Sequence, residues 1–149
     1  MKSFRFPLQR VMDWRALQMR SEEEKLGALQ HRLSTLVHRE NELTAAELKS
    51  SLELLRLPSI GGADLQALSA YKIRMKNERA AVQAGRKQCE QQVAEQRKRL
   101  LKARRDFRVL EKLKENKFKT WTYQSDREIE NLAAEAYIAK WARAEDEQS

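Results

Sequence analysis

The sequence predicts an all-α protein: two long helices in an antiparallel coiled-coil hairpin, the second helix longer and overhanging the first. Three observations predict it. Charged residues make up 35% of the 149 positions and aromatics only 7%, a composition suited to a narrow seam between helices rather than a broad core. The two prolines stand at 7 and 58, so everything after Pro58 is free of proline. Apolar residues recur at alternating steps of three and four on both sides of Pro58, the spacing of one stripe along a helix.

The first helix is expected over about residues 5–57, opening near Pro7, a residue compatible with a first helical turn. A seven-residue frame runs through 8, 12, 15, 19, 22, 26, 29, 33, 36, 40 and 43. Eight of these eleven positions are apolar: Leu8, Met12, Met19, Leu26, Leu29, Leu33, Leu36 and Leu43. The frame then slips. Leu48 follows Val37 at a distance of eleven, with Leu52 and Leu55 behind it, and such a spacing locally unwinds a left-handed supercoil.

Pro58 ends the helix, because it disfavours the helical conformation at Leu57. Gly61 and Gly62 supply the turn, at about residues 58–63. Asp64 is the candidate N-cap of the second helix, expected over about residues 64–144.

Its frame runs through 65, 68, 72, 75, 79, 82, 86, 89, 93, 96, 100, 103, 107 and 110. Ten of these fourteen are apolar: Leu65, Leu68, Met75, Val82, Cys89, Val93, Leu100, Ala103, Phe107 and Leu110. Both stripes need burial, and a short connection makes the helices antiparallel neighbours within one hairpin domain, residues 1–149. Folding about residue 60 pairs positions whose numbers sum to about 121. Glu40 is then expected near Arg79, Glu47 near Lys72, and Arg15 near Asp106. The first arm is about 75 Å long and the second about 120 Å, at 1.5 Å per residue. Residues beyond about 117 therefore lack a partner in the first arm, although they include Phe118, Trp121, Ile129, Leu132 and Trp141.

The formal net charge is +8. Residues 72–121 carry 17 basic and 6 acidic side chains, whereas residues 122–149 carry 3 basic and 7 acidic. An acidic partner surface or nucleic acid would suit the basic stretch. A basic-region helix, however, runs free of a seam. Here Leu100, Phe107 and Leu110 carry the seam through the basic stretch, and Glu111 and Glu115 dilute it. No nucleic-acid partner is expected.

Motifs of chemistry are missing. No glycine-rich phosphate loop is present. His31 and His38 lie seven apart, too far to share one metal easily, and no cluster of further ligands joins them. Glu22, Glu23 and Glu24 stand on a helix with no concave site around them. Cys89 falls in the apolar frame, so it reads as a seam residue rather than a nucleophile. No catalytic, cofactor-binding or metal-binding residue is assigned, no cofactor is expected, and the chain is not expected to be an enzyme. No apolar run of about 18 residues would cross a membrane, the basic opening lacks the apolar stretch of a secretory leader, and a single cysteine suits a reducing cytoplasm.

The opening Phe4-Arg5-Phe6-Pro7-Leu8-Gln9-Arg10-Val11, with Arg15 and the Glu22–Glu24 cluster, resembles the start of the FliJ family of flagellar export proteins. So does Ala103-Arg104-Arg105-Asp106-Phe107-Arg108-Val109-Leu110-Glu111-Lys112-Leu113-Lys114-Glu115. The later Glu128, Glu130, Leu132, Glu135 and Ala136 resemble the family's acidic closing helix. The tryptophans at 121 and 141 depart from the pattern. The resemblance implies a stalk-like protein that binds the hexameric ring of the flagellar export ATPase and promotes its assembly and activity. It also implies contact with the cytoplasmic domain of the export gate and with export chaperones, at the cytoplasmic face of the inner membrane at the flagellar base. Stalk proteins of virulence-type secretion systems share this design.

On that expectation the ATPase-binding candidates are Arg5, Arg10, Arg104, Arg105, Arg108, Lys112, Lys114 and Trp121, at the end where both termini meet. The gate-binding candidates are Leu43, Leu48, Leu52, Tyr71 and Met75, nearer the turn. The equivalent stalk protein of a virulence-type type III secretion system is the first alternative, followed by a nucleic-acid-binding hairpin and a coiled coil that merely dimerises.

Overall fold

The computed structural model describes residues 2–149. It contains two helices, α1 (Gln9–Leu55, 47 residues) and α2 (Gly62–Gln148, 87 residues), and no strand among the described residues. The fold is an all-α antiparallel hairpin with a longer second helix. Its contacts group into two compact units, one formed by Gln18–Ala103 and the other by Met1–Leu17 with Arg104–Ser149.

The helix ends follow local chemistry. α1 begins at Gln9 rather than near residue 5. Gln9 N donates to Phe6 O (3.1 Å) and Met12 N to Leu8 O (2.9 Å), so a turn through Pro7 precedes the first helical residue and the chain before it is not helical. α1 closes with a tightened turn, in which Arg56 N and Leu57 N donate to Glu53 O and Leu54 O, three residues back (3.2 Å each). Asp64 does not stand at the N-cap. It lies in the first turn of α2, and its Oδ2 accepts a hydrogen bond from Gly61 N (3.1 Å). This is the returning half of a capping box, and it places a carboxylate at the positive end of the helix dipole. No glycine takes a positive φ, so the turn does not exploit left-handed backbone at Gly61 or Gly62.

In the Gln18–Ala103 unit, α1 numbers fall as α2 numbers rise along the pairing, so the two helices run antiparallel. Leu43, Met75, Cys89, Val93 and Leu100 are buried, together with Gln96. All are frame positions. Gln96 is tolerated there because its Nε2 donates to Glu22 O (3.1 Å) and to the Glu22 carboxylate. A buried amide without such partners would be destabilising. Cys89, 2% exposed, donates its thiol to Leu29 O at 3.4 Å, which supports its reading as a seam residue.

The slip expected after Leu43 does not occur. The seam continues through half-buried Ala46, Glu47, Ser50, Ser51 and Leu54, and Leu48, Leu52 and Leu55 point outward. Ser51 fits at the seam because its hydroxyl donates to Glu47 O (3.2 Å). Apolarity and the buried stripe part company here, because small side chains let the helices stay in register where leucines would have been expected.

The cross-helix pairs keep the expected fold point but change partners. Arg15 Nη1 meets Asp106 Oδ2 at 3.1 Å, as expected, in the unit that contains both. Glu40 pairs with Arg86 (2.7 Å) and Gln83 (3.0 Å) rather than Arg79. Arg79 instead pairs with Glu47, and Lys72 lies beside that pair. Side chains lean toward the N-terminus of their own helix. Across an antiparallel pair, a carboxylate on α1 and an arginine on α2 thus lean toward each other, and they meet about one turn away from the backbone register. These partly exposed pairs contribute no more than about 1 kcal/mol each.

Candidate partner-docking surfaces

In the unit of Met1–Leu17 and Arg104–Ser149, the segment before α1 is the structural feature that periodicity did not anticipate. An extended residue advances about 3.3 Å and a helical one 1.5 Å. A few non-helical residues therefore reach along α2 as far as twice their number of helical ones. Phe6 is buried. Phe4 meets Phe118 edge-on (5.2 Å between centroids, 80°) and Trp121 at a tilt (6.0 Å). Phe118 and Trp121 stack at 5.8 Å and 24°. Trp121 Nε1 donates to Lys2 O (3.2 Å). Aromatic pairs of this geometry contribute about 0.5–1.5 kcal/mol beyond the area they bury.

The expectation that residues beyond about 117 lack a partner in the first arm is therefore corrected. The N-terminal segment packs against Phe118, which stays 48% exposed, and against half-buried Trp121, and burial on α2 extends as far as Ser125, 8% exposed. Trp121 is engaged within the chain and forms one wall of an open groove of about 850 Å³. Phe4, Pro7 and Trp121 give the groove apolar walls, and Lys2, Arg5 and Lys117 line it with positive charge.

Beyond Ser125 every residue is exposed. This stretch carries Ile129, Leu132, Tyr137, Ile138 and Trp141, the last 59% exposed. Behind it on the same helix, Arg104, Arg105, Arg108 and Lys112 are exposed and Lys114 is half-buried. Arg5 and Arg10 are exposed on the other arm. The structure thus gathers all eight ATPase-binding candidates in one unit. Arg108 and Lys112 flank a shallow groove that also includes Glu111 and Glu115, so negative charge interrupts the basic surface there.

The five gate-binding candidates separate. Leu43 and Met75 are 2% and 7% exposed and belong to the seam, so neither can present a docking surface. Frame periodicity had already placed them on the apolar stripe, and that packing role wins. Leu48 and Leu52 are exposed, and Tyr71 is half-buried with the Arg74 guanidinium 5.6 Å from its ring centroid.

Arg39 is held above its ordinary range, chiefly by its hydrogen bond to Glu78 and next by that to Glu42, which keeps an already charged group charged. His38 Nε2 lies 3.0 Å from Glu42 Oε1 on the exposed face of α1. Among the described residues no three His, Cys, Asp or Glu side chains gather as a metal site would require, and no helix is long and apolar enough to cross a membrane.

Sequence reasoning missed Lys2 and Lys117 as groove residues. The signal was the Phe4-x-Phe6-Pro7 run, in which aromatics immediately precede a helix start and so must pack on something nearby. No family model, curated protein or solved structure matches the chain.

Proposed function

We propose that the chain is a non-enzymatic component of the flagellar protein-export apparatus. It binds the export ATPase ring as a central stalk, promotes ring assembly and activity, and links the ring to the cytoplasmic domain of the export gate. Its place is at the cytoplasmic side of the inner membrane, at the flagellar base. The observation that supports this reading most is the C-terminal end of α2. A single helix, narrower than a pair, carries exposed aliphatic and aromatic side chains beyond Ser125, with exposed arginines behind them. Large apolar side chains on an otherwise charged helix mark a docking surface. A narrow element can enter a ring, and cations behind it can meet acidic side chains at the ring mouth. The export setting, the gate and the chaperones come from the resemblance to the FliJ family.

Co-sedimentation of the purified chain with the export ATPase tests the reading. The chain is expected to travel with the hexamer in moderate salt and to shift the ATPase toward hexamers. Rim contacts by exposed cations weaken as salt rises, whereas the apolar tail keeps part of the affinity. An ATPase that sediments unchanged, while duplex DNA retains the chain, would reject this function in favour of nucleic-acid binding.

A further inference from the structure

We infer that the groove between the N-terminal segment and α2 is a binding site for an acidic peptide segment with an apolar anchor residue. The inference stands on the groove itself and does not rest on the export reading. The lining contains three cations, Lys2, Arg5 and Lys117, and no carboxylate. Neighbouring cations are paired instead: Lys119, one residue from the groove, meets Glu115 at 3.1 Å, and Arg15 meets Asp106. The apolar walls of Phe4, Pro7 and Trp121 suit one aliphatic or aromatic side chain. Its volume of about 850 Å³ falls in the range of sites that hold a few residues of ligand.

The rings argue for a peptide rather than a nucleic-acid strand. A single strand needs open ring faces on which bases stack. Here Phe4, Phe118 and Trp121 pack on one another, and the indole N–H is taken by Lys2 O. One indole face is thus taken by Phe118, which leaves less ring surface for a base, while the lining keeps its positive charge. Carboxylates of the peptide gain charge-assisted contacts with the three cations, and the anchor residue displaces water from the apolar walls.

The test uses the full chain and a fluorescein-labelled peptide of sequence Glu-Asp-Phe-Glu-Asp-Leu, followed by anisotropy. The peptide is expected to bind at low salt and to shift the Trp121 indole N–H resonance. Arg5→Glu with Lys117→Glu should weaken it about tenfold or more, through loss of complementary charge and its replacement by like charge. Lys98→Glu with Lys102→Glu, at exposed basic positions outside the groove, should change binding less than about twofold. Thermal melts of both double variants should match the parent, because all four side chains are exposed. Equal losses in the two double variants would reduce the interaction to general charge attraction and overturn the site. So would tighter binding of an oligothymidylate of equal charge, or an unmoved Trp121 resonance on saturation.

Discussion

Replacing Leu43 with alanine should lower the unfolding free energy by about 2–5 kcal/mol, the loss typical of a buried leucine truncated to leave a cavity. Leu43 is 2% exposed and sits where the seam of the Gln18–Ala103 unit is tightest around α1. Leu48→Ala, only five residues on, should change stability by no more than about 0.5 kcal/mol, because Leu48 is 61% exposed. Urea titrations followed by circular dichroism would read both. The contrast matters more than either value. If the two variants lose equal stability, then the seam passes through Leu48, Leu52 and Leu55, and the uninterrupted register through Ala46 and Ser50 is wrong.

Deleting residues 126–149 should abolish stimulation of the export ATPase and leave the melting temperature within a few degrees of the parent. Every side chain removed is exposed, so the deletion forfeits little intramolecular packing, while it takes away the apolar surface proposed to enter the ring. A deletion that starts at Phe118 should behave differently. It also removes Trp121 and the buried Ser125, strips Phe4 of its ring partners, and so should melt lower as well. The two truncations separate docking from folding: loss of stimulation only with the longer deletion would assign ATPase contact to the N-terminal segment and the aromatic cluster instead of the exposed tail.

Much of the architecture was legible because a coiled-coil seam is written in one dimension. Steps of three and four fixed which faces meet, and Pro58 with the glycines after it fixed the fold point. Leu29 and Cys89, Glu22 and Gln96, and Arg15 and Asp106 lie near the register read from the sequence. What failed did so where the chain leaves that repeat. Beyond Leu43 the apolar residues and the buried residues differ, since Ser50 and Ser51 occupy the stripe and leucines face outward. Periodicity weighs hydrophobicity alone and cannot see that a serine can satisfy its own hydroxyl within the helix. The N-terminal segment failed for another reason: a helical rise of 1.5 Å per residue was applied to residues that are not helical, so the coverage of Trp121 was missed.

The docking candidates show the same division. Exposed cations such as Arg5, Arg105 and Arg108 were readable from charge, because long charged side chains rarely bury themselves. Leu43 and Met75 were readable from the frame, and their assignment to a docking face set the frame aside. The groove of Lys2, Arg5 and Lys117 was not readable, because its walls come from segments more than a hundred positions apart in sequence.

The stalk reading is tested most directly by ATP hydrolysis, measured over a range of export-ATPase concentrations with and without a saturating amount of the purified chain. A stalk that stabilises the closed hexamer acts by shifting an assembly equilibrium. The chain alone should hydrolyse no ATP, and its stimulation should be greatest at low ATPase concentration, where rings are dissociated, fading as the ATPase assembles by itself. The same gain at every concentration, or none at any, would contradict it.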